Sequence, residues 1–197
     1  MTQRNPWRVF IIHGFDASPE EHWFPWLEAQ LRERGIQAIR LRMPESSHPD
    51  FDRWQATMRE AIGQPDEHTI LVAHSLGTIS VLHFASQSGA KRLGGIVLVS
   101  GFAGRIPGLS TLDGYADRAK IEAATIRAMS PVLHHVISTN DYAVPPAVSE
   151  QLAQRLGGTV HQVPDAGHFL DREGFTELPV VLRAVEDGVQ GAGVAGR

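Results

Sequence analysis

The sequence contains no cysteine among its 197 residues. Disulfide bonds, thiolate metal sites and a cysteine nucleophile are therefore all excluded. Positive charge is also scarce, because the formal net charge is −4 and no run of lysine and arginine is longer than Lys91-Arg92. Nucleic acids and anionic membranes are bound through clustered positive charge. We therefore expect neither nucleic acid nor a membrane surface as a partner.

Long apolar runs are absent as well. Near the start, the apolar stretch Val9–Ile12 is shorter than the hydrophobic region of a secretion signal, and no other stretch approaches the length of a membrane span. We expect a cytoplasmic protein. With 42% hydrophobic and 20% charged residues, the chain suffices for one domain with a sizeable core. We place this domain at residues 1–187 and expect the glycine- and alanine-rich residues 188–197 to form a disordered tail.

Short apolar segments alternate with longer amphipathic segments along the chain. The apolar segments predict six β-strands: Arg8–Ile12, Gln37–Leu41, Thr69–Ala73, Gly95–Ser100, Leu133–Ser138 and Thr159–Val163. The amphipathic segments predict helices near residues 20–34, 50–62, 76–88, 116–128, 145–156 and 175–187. The main part of the first helix should start near Pro25, because proline disrupts a helix interior. This alternation predicts a parallel sheet of about six strands with helices on both faces, and such sheets bind ligands beyond the carboxyl ends of their strands.

The segment LVAHSLGTIS, residues 71–80, places Ser75 between a predicted strand and a predicted helix. A serine at a sharp strand-to-helix turn has a strained backbone, and its hydroxyl group lies above the sheet. The small residues Ala73 and Gly77 would let the strand and the helix approach each other. The first N–H groups of the helix point at the negative charge that develops during attack. We therefore predict that Ser75 is a nucleophile rather than a turn or capping residue.

A serine nucleophile requires a base and an acid that orients the base. In this architecture the acid and then the histidine follow the serine along the chain. His168 lies in the turn-rich segment PDAGHF after the last predicted strand, and Asp141 follows the preceding strand. Asp113 and Asp117 follow the strand before that, which is the alternative position for the acid. We predict that Ser75, Asp141 and His168 form a catalytic triad.

An oxyanion hole requires two backbone donors. We predict the N–H groups of Leu76 and Phe15 in this role, with Gly14 turning the backbone toward the site. Trp23 and His74 are candidate substrate-binding residues, and their alternatives are a core tryptophan and a hydrogen-bonded residue beneath the turn. The spacing of His, Asp and Glu residues suggests no metal site, and no glycine-rich loop follows the first strand. We therefore expect neither a metal nor a cofactor.

Six segments of the chain, in this order, resemble the YdeN/retinoblastoma-binding-protein-nine family of small serine hydrolases: IIHG, HWFPWL, LVAHSLG, GGIVLVSGF, AGHF and EGFTELP. The resemblance extends from about Arg8 to Val185. It implies a compact α/β-hydrolase fold without a lid domain, with the nucleophile at Ser75, the acid at Asp141 and the base at His168. The human relative was named for binding the retinoblastoma protein through a cysteine-containing segment, which cannot exist in this chain.

Together these observations predict a serine hydrolase of the carboxylesterase type that acts on small short-acyl esters. An amidase or a thioesterase would use the same residues, and the sequence does not separate them from an esterase. The alternative outside enzymes is a binding or scaffold protein on an inherited hydrolase fold. We expect a small-molecule ester as the partner, and the sequence does not indicate an oligomeric state.

Overall fold

A computed structural model describes residues 6–194 of the chain. Its centre is a six-stranded sheet of order β2-β1-β3-β4-β5-β6, in which all neighbouring strands are parallel. The strands are β1 (Arg8–Ile12), β2 (Gln37–Leu41), β3 (Thr69–His74), β4 (Gly95–Val99), β5 (Leu133–Ser138) and β6 (Thr159–Val163). The helices are α1 (Phe24–Glu33), α2 (Phe51–Ile62), α3 (Leu76–Gln87), α4 (Asp113–Ala116), α5 (Ala123–Met129), α6 (Pro146–Leu156) and α7 (Pro179–Val194), with 3₁₀ turns at Ser110–Leu112 and Asp171–Glu173.

The sheet is covered on both faces, as the continuous apolar runs in its strands predict. Alternate residues of a strand point to opposite faces. In β1, Phe10 and Ile12 belong to the core cluster that includes α2, α3, α5 and α6. Val9 and Ile11 belong to a second cluster, together with residues of α1 and α7. The predicted parallel sheet with helices on both faces is therefore confirmed.

The register of the strands brings their carboxyl ends to one level. Ile12 of β1 lies beside Ala73 of β3, and His74 lies beside Val99 of β4. The loops that follow these strands therefore emerge side by side at the same edge of the sheet. Each predicted strand agrees with the structure to within one residue, and α1 begins at Phe24 with its proline in the first turn.

The helix predicted near residues 116–128 is wrong in its first half. Helix α4 ends at Ala116, and α5 begins only at Ala123. Between them, the Lys120 N–H donates to Nδ1 of His83 at 3.0 Å, and the Glu122 N–H donates to Oγ of Ser86, also at 3.0 Å. These acceptors on α3 take the place of carbonyl oxygens within a helix. Side chains that accept backbone N–H groups compete with helix formation in this way, so the segment between α4 and α5 is not helical.

The last helix is longer than predicted. Helix α7 continues to Val194, so residues 188–194 of the predicted tail are helical. A Cβ atom on Gly188 would lie 2.9 Å from Cδ1 of Ile70 and 3.1 Å from the carbonyl oxygen of Gly94. The glycine therefore allows a close approach between α7 and the sheet. Residues 195–197 of the predicted tail lie outside the described residues, as do residues 1–5 of the predicted domain.

None of the helices within residues 6–194 combines the length and the apolar character that crossing a membrane requires.

Candidate active site

Ser75 occupies the turn between β3 and α3 in a strained conformation, with φ 53° and ψ −124°. Residues other than glycine rarely adopt a positive φ, and such strain is concentrated at functional sites. The Ser75 N–H donates to the carbonyl oxygen of Val99 at 3.0 Å, which fixes the turn to β4. A Cβ atom on Gly77 would lie 2.7 Å from the carbonyl oxygens of Ile12 and His13. Gly77 therefore lets the start of α3 approach the end of β1.

The structure brings Ser75, His168 and Asp141 into one hydrogen-bonded series. Nε2 of His168 lies 3.0 Å from Oγ of Ser75, and Nδ1 lies 2.9 Å from Oδ2 and 3.0 Å from Oδ1 of Asp141. An ionised carboxylate only accepts hydrogen bonds, so Nδ1 carries the proton of the neutral imidazole. The lone pair of Nε2 therefore faces the serine hydroxyl group.

The Asp141 carboxylate is held by donors on every side. Its Oδ1 accepts the backbone N–H groups of Ala143 and Val144, both at 2.9 Å, and its Oδ2 accepts the Ser100 hydroxyl group at 2.6 Å. Burial would raise the pKa of Asp141, but the hydrogen bond and charge of His168, together with the Ser100 and Val144 bonds, lower the pKa below its ordinary value. Asp141 is therefore ionised at neutral pH.

The two alternative acids lie elsewhere. Arg105 donates to Asp117 from Nε at 2.9 Å and lies 3.7 Å from Asp113, in an ion-pair cluster at the protein surface. Neither carboxylate hydrogen-bonds to His168. The position after β4 instead contributes Ser100, which the sequence analysis missed. The sequence predicts it as the last residue of the strand Gly95–Ser100, and its φ of 48° becomes visible only in the fold.

Gly14 lies against the serine. A Cβ atom at this position would be 2.9 Å from Cβ and 3.4 Å from Oγ of Ser75, so a larger residue would collide with the hydroxyl-bearing side chain. His13 holds the adjoining peptide, because its Nδ1 donates to the Gly14 carbonyl oxygen at 2.9 Å while its Nε2 accepts the Met43 N–H at 3.1 Å. Burial lowers the pKa of His13, which keeps this arrangement neutral.

The two predicted oxyanion donors have no protein acceptor in the described part of the chain. The Leu76 N–H belongs to the first turn of α3, where backbone donors lack intrahelical acceptors. The Phe15 N–H follows the Gly14 carbonyl that His13 holds, and it makes no backbone or side-chain hydrogen bond within residues 6–194. Both groups are therefore available to a negatively charged oxygen near Ser75.

The predicted substrate-binding residues behave differently from each other. His74 lines the cavity beside Ser75, and its Nε2 donates to the His168 carbonyl oxygen at 2.8 Å. Burial, followed by the charge of His168, lowers the pKa of His74 well below its ordinary value. Trp23 is fully buried and does not line the cavity, because its ring packs at 4.6 Å against Phe24 beneath the site. The prediction of Trp23 as a substrate-binding residue is therefore wrong.

A cavity of about 230 Å³ opens next to Ser75 and His168. Its walls include residues that the sequence analysis did not select, namely His22, Leu109, Tyr142, Leu170 and Arg172. Of these five residues, only His22 lies in one of the segments that resemble the family, because it begins HWFPWL. Across residues 6–194, no three histidine or acidic side chains are grouped so that they could hold a metal ion.

Comparison with known proteins yields similar sequences. The sequence profile of the family described as serine hydrolase matches residues 9–187. YdeN of Bacillus subtilis (strain 168) is 43% identical over 180 residues, which cover 88% of this chain and 92% of that protein. The serine hydrolase RBBP9 of Rattus norvegicus is 26% identical over 185 residues, which cover 92% of this chain and 96% of that protein.

Solved structures have the same fold. The crystal structure of the ydeN gene product from B. subtilis superimposes with a TM-score of 0.89 at 37% identity, covering 93% of this chain and 99% of that chain. Est1E from Butyrivibrio proteoclasticus superimposes with a TM-score of 0.70 at 18% identity, covering 97% of this chain and 90% of that chain. The second similarity concerns the fold alone.

Proposed function

Because the chain belongs to the serine hydrolase family, we propose that it is a carboxylesterase that hydrolyses small short-acyl esters through an acyl-enzyme on Ser75. The observation that carries this proposal is the series of hydrogen bonds from Ser75 through His168 to Asp141, with 3.0 Å between Nε2 and Oγ. A serine hydroxyl group becomes a competent nucleophile when such an oriented base accepts its proton.

In the first half of the proposed reaction, Oγ of Ser75 attacks the ester carbonyl carbon while Nε2 of His168 takes the hydroxyl proton. The π electrons of the carbonyl group move to its oxygen, and the N–H groups of Leu76 and Phe15 stabilise that charge. The ionised Asp141 stabilises the imidazolium ion. The ester C–O bond then breaks, and the departing alcohol takes the proton from Nε2 of His168.

In the second half, a water molecule attacks the acyl carbon while Nε2 of His168 accepts one of its protons. The second tetrahedral intermediate collapses, the carboxylic acid leaves, and Ser75 recovers its proton from His168. Overall, the reaction consumes one ester and one water molecule and releases one carboxylic acid and one alcohol. The small cavity supports the assignment to small substrates, since about 230 Å³ lies below the range typical of drug-sized ligands.

The first test is covalent labelling. A fluorophosphonate probe should modify Ser75, and Ser75→Ala should abolish both labelling and turnover of p-nitrophenyl acetate. Ser47→Ala, which changes an exposed serine outside the cavity, is the matched control and should retain both. Labelling of another serine, or turnover in the Ser75→Ala variant, would contradict the assignment. A folded wild-type protein that is neither labelled nor active would instead favour a binding protein.

A panel of esters, amides and thioesters with the same acyl group then tests the reaction class. We expect esters to give the highest kcat/KM. A thioester or an amide preferred over its matched ester would replace the esterase assignment while leaving Ser75 as the nucleophile.

A further inference from the structure

Arg172 lies in the wall of the cavity, and its guanidinium group makes no close ion pair with a carboxylate among the described residues, while the charges of Glu173 and Asp171 act on it from further away. Its Nη2 donates to the phenolic oxygen of Tyr142 at 2.9 Å, and Tyr142 lines the same cavity. This hydrogen bond fixes the position of the guanidinium group and leaves its positive charge in place. The remaining N–H donors of the planar guanidinium are the type that binds carboxylates in pairs.

The carboxylates on either side of Arg172 accept backbone N–H groups, and Oδ1 of Asp171 also lies 3.4 Å from Nδ1 of His22. Asp171 accepts the Arg172 backbone N–H at 2.7 Å. Glu173 accepts the N–H groups of His168 and Leu170, both at 2.9 Å. Both carboxylates therefore hold the loop in place. The guanidinium group is left for a ligand that enters the cavity.

His22 adds a second donor to the same cavity. The Asp171 N–H donates to Nδ1 of His22 at 3.2 Å, so the neutral imidazole carries its proton on Nε2. Burial lowers the pKa of His22, which favours this neutral form. Nε2 makes no hydrogen bond to the part of the chain that the structure describes, and His22 holds its cavity position with a φ of 58°.

The position of these groups relates to the leaving group of the substrate. In the proposed reaction His168 gives its proton to the departing oxygen, so the leaving group lies on the His168 side of the acyl carbon. The ring of Tyr142 is 6.4 Å from the ring of His168, and Arg172 belongs to the 3₁₀ turn that follows His168. We propose that Arg172 and His22 form a subsite for a carboxylate on the leaving group, so that the preferred substrates are esters of alcohols or phenols that carry a carboxylate. This inference rests on the proposed esterase function.

One carboxylate, that of Asp16, also lines the cavity. It belongs to the loop after β1, as His22 does. Its charge repels an anionic group that enters the cavity and therefore opposes the attraction of Arg172.

The experiment compares two esters that differ mainly in charge, 3-acetoxybenzoate and 3-acetoxybenzamide. The quantity measured is the ratio of kcat/KM for the anionic ester to kcat/KM for the neutral ester. In wild type this ratio should exceed one, and it should fall with added NaCl because salt screens exposed charges. Arg172→Gln should lower the ratio by about two- to fivefold, the size of effect expected for an exposed ion pair. Arg172→Lys should give an intermediate ratio, since it keeps the charge but loses the planar donors. Asp16→Asn should raise the ratio.

Arg59→Gln is the matched control. It removes the same charge from the last turn of α2, outside the cavity, and should leave the ratio unchanged. An independent readout is product inhibition, because 3-hydroxybenzoate should inhibit hydrolysis of the neutral ester more weakly in the Arg172→Gln variant. A melting temperature equal to that of wild type shows that this variant is folded.

The two proposals fail separately. Hydrolysis of the neutral ester with equal ratios in wild type and Arg172→Gln would overturn the subsite and leave the esterase proposal intact. Loss of preference in Arg59→Gln as well would assign the effect to net charge and would also overturn the subsite. Absence of turnover with either ester in wild type would overturn the esterase proposal itself.

Discussion

A single buried carboxylate, Asp141, fixes the orientation of the imidazole beside Ser75. Removing the orienting carboxylate of a Ser-His-Asp triad lowers kcat on the order of 10⁴-fold. We expect Asp141→Asn to show a loss of this size, because asparagine cannot stabilise the imidazolium ion and favours the wrong tautomer. The measurement is kcat for an acetate ester, with circular dichroism to confirm the fold.

Asp113→Asn and Asp117→Asn are the controls for this prediction. Both carboxylates pair with Arg105 at the surface, and exposed ion pairs contribute at most about 1 kcal/mol to stability. Activity should therefore stay close to wild type in both variants. If either control lost more activity than Asp141→Asn, the assignment of the acid would be wrong.

The sequence predicted that Ser75, Asp141 and His168 lie close together because each follows a predicted strand and parallel strands end at one edge, and the structure brings the three side chains together. Chain order and strand recognition were sufficient for that step. Ser100 and Arg172 could not be found in the same way. Their contacts with Asp141 and Tyr142 join residues 41 and 30 positions apart in the chain, and no local pattern reports such contacts.

Among the structural elements, the loop that carries His168 depends on Glu173. Asp165 and Phe169 have positive φ angles, which strain the backbone on both sides of His168, and Gly167 adopts a positive φ without such strain. The Glu173 carboxylate accepts the N–H groups of His168 and Leu170 and holds them 2.9 Å away. A Cβ atom on Gly167 would lie 2.6 Å from the Glu173 carboxyl carbon, so glycine is required for this contact.

We predict that Glu173→Ala destabilises the protein and lowers kcat, because it leaves two backbone donors without their acceptor. Each unsatisfied donor costs about 1–3 kcal/mol when buried, and less where water reaches it. Glu173→Gln keeps a carbonyl acceptor of the same length and should recover part of both losses. Urea unfolding and kcat measured side by side test this. Equal stability and kcat in Glu173→Ala and wild type would show that the two hydrogen bonds accepted by Glu173 are dispensable.

The connection between β4 and β5 forms part of the body of the domain and leaves little chain for a separate cap. Phe102, Ile106 and Tyr115 are buried in the core cluster with α2 and α3, and Tyr115 and Ser80 share a hydrogen bond of 2.7 Å. Leu109 alone among this connection lines the cavity within the described residues. A long acyl chain would therefore remain partly in water.

We accordingly expect a preference for short acyl chains. Each added methylene should increase transition-state binding by much less than the ~0.8 kcal/mol of full burial. The measurement is kcat/KM for p-nitrophenyl esters from acetate to palmitate. A steady rise through the long chains, or activation at a lipid interface, would reveal a deep acyl tunnel and contradict this prediction.

The inner strands β1, β3, β4 and β5 were predictable because burial on both faces produces nearly continuous apolar runs, which need no information from the rest of the fold. The helix near residues 116–128 failed for the opposite reason. His83 and Ser86 of α3 accept its backbone N–H groups, and a contact between separate elements leaves no trace in local periodicity. Residues 188–194 were mistaken for a tail because glycine is also a close-packing residue, as Gly188 is against Ile70.

For the molecule as a whole, buried histidines make stability depend on pH. Burial is the largest cause of the lowered pKa of His13, His74, His134 and His135, and it brings the pKa of His135 to about 4 from an ordinary 6.5. Between these two values the unfolded chain binds a proton that the folded chain does not. The stability that depends on the neutral His135 is therefore fully present above pH 6.5 and is lost as the pH falls toward 4.

At about 1.4 kcal/mol for each pH unit between the two pKa values, His135 alone should lower the free energy of unfolding by roughly 3 kcal/mol at pH 4. Urea unfolding at pH 8, 6 and 4.5 measures the slope. His135→Gln has no titrating ring and should give a shallower slope, whereas the exposed His48→Gln should give the wild-type slope. An unchanged slope in His135→Gln would contradict the prediction.

The close packing of α7 at the amino edge of the sheet, where Gly188 meets Ile70 and Gly94, lies at the opposite end of the strands from the cavity. Strands of five or six residues separate these edges by roughly 16–20 Å. Substitutions more than about 7–10 Å apart usually have additive effects. In directed evolution, substitutions around the cavity can therefore be selected for new substrates separately from substitutions around α7 that are selected for thermal tolerance. The selected variants can then be combined without rescreening the combinations.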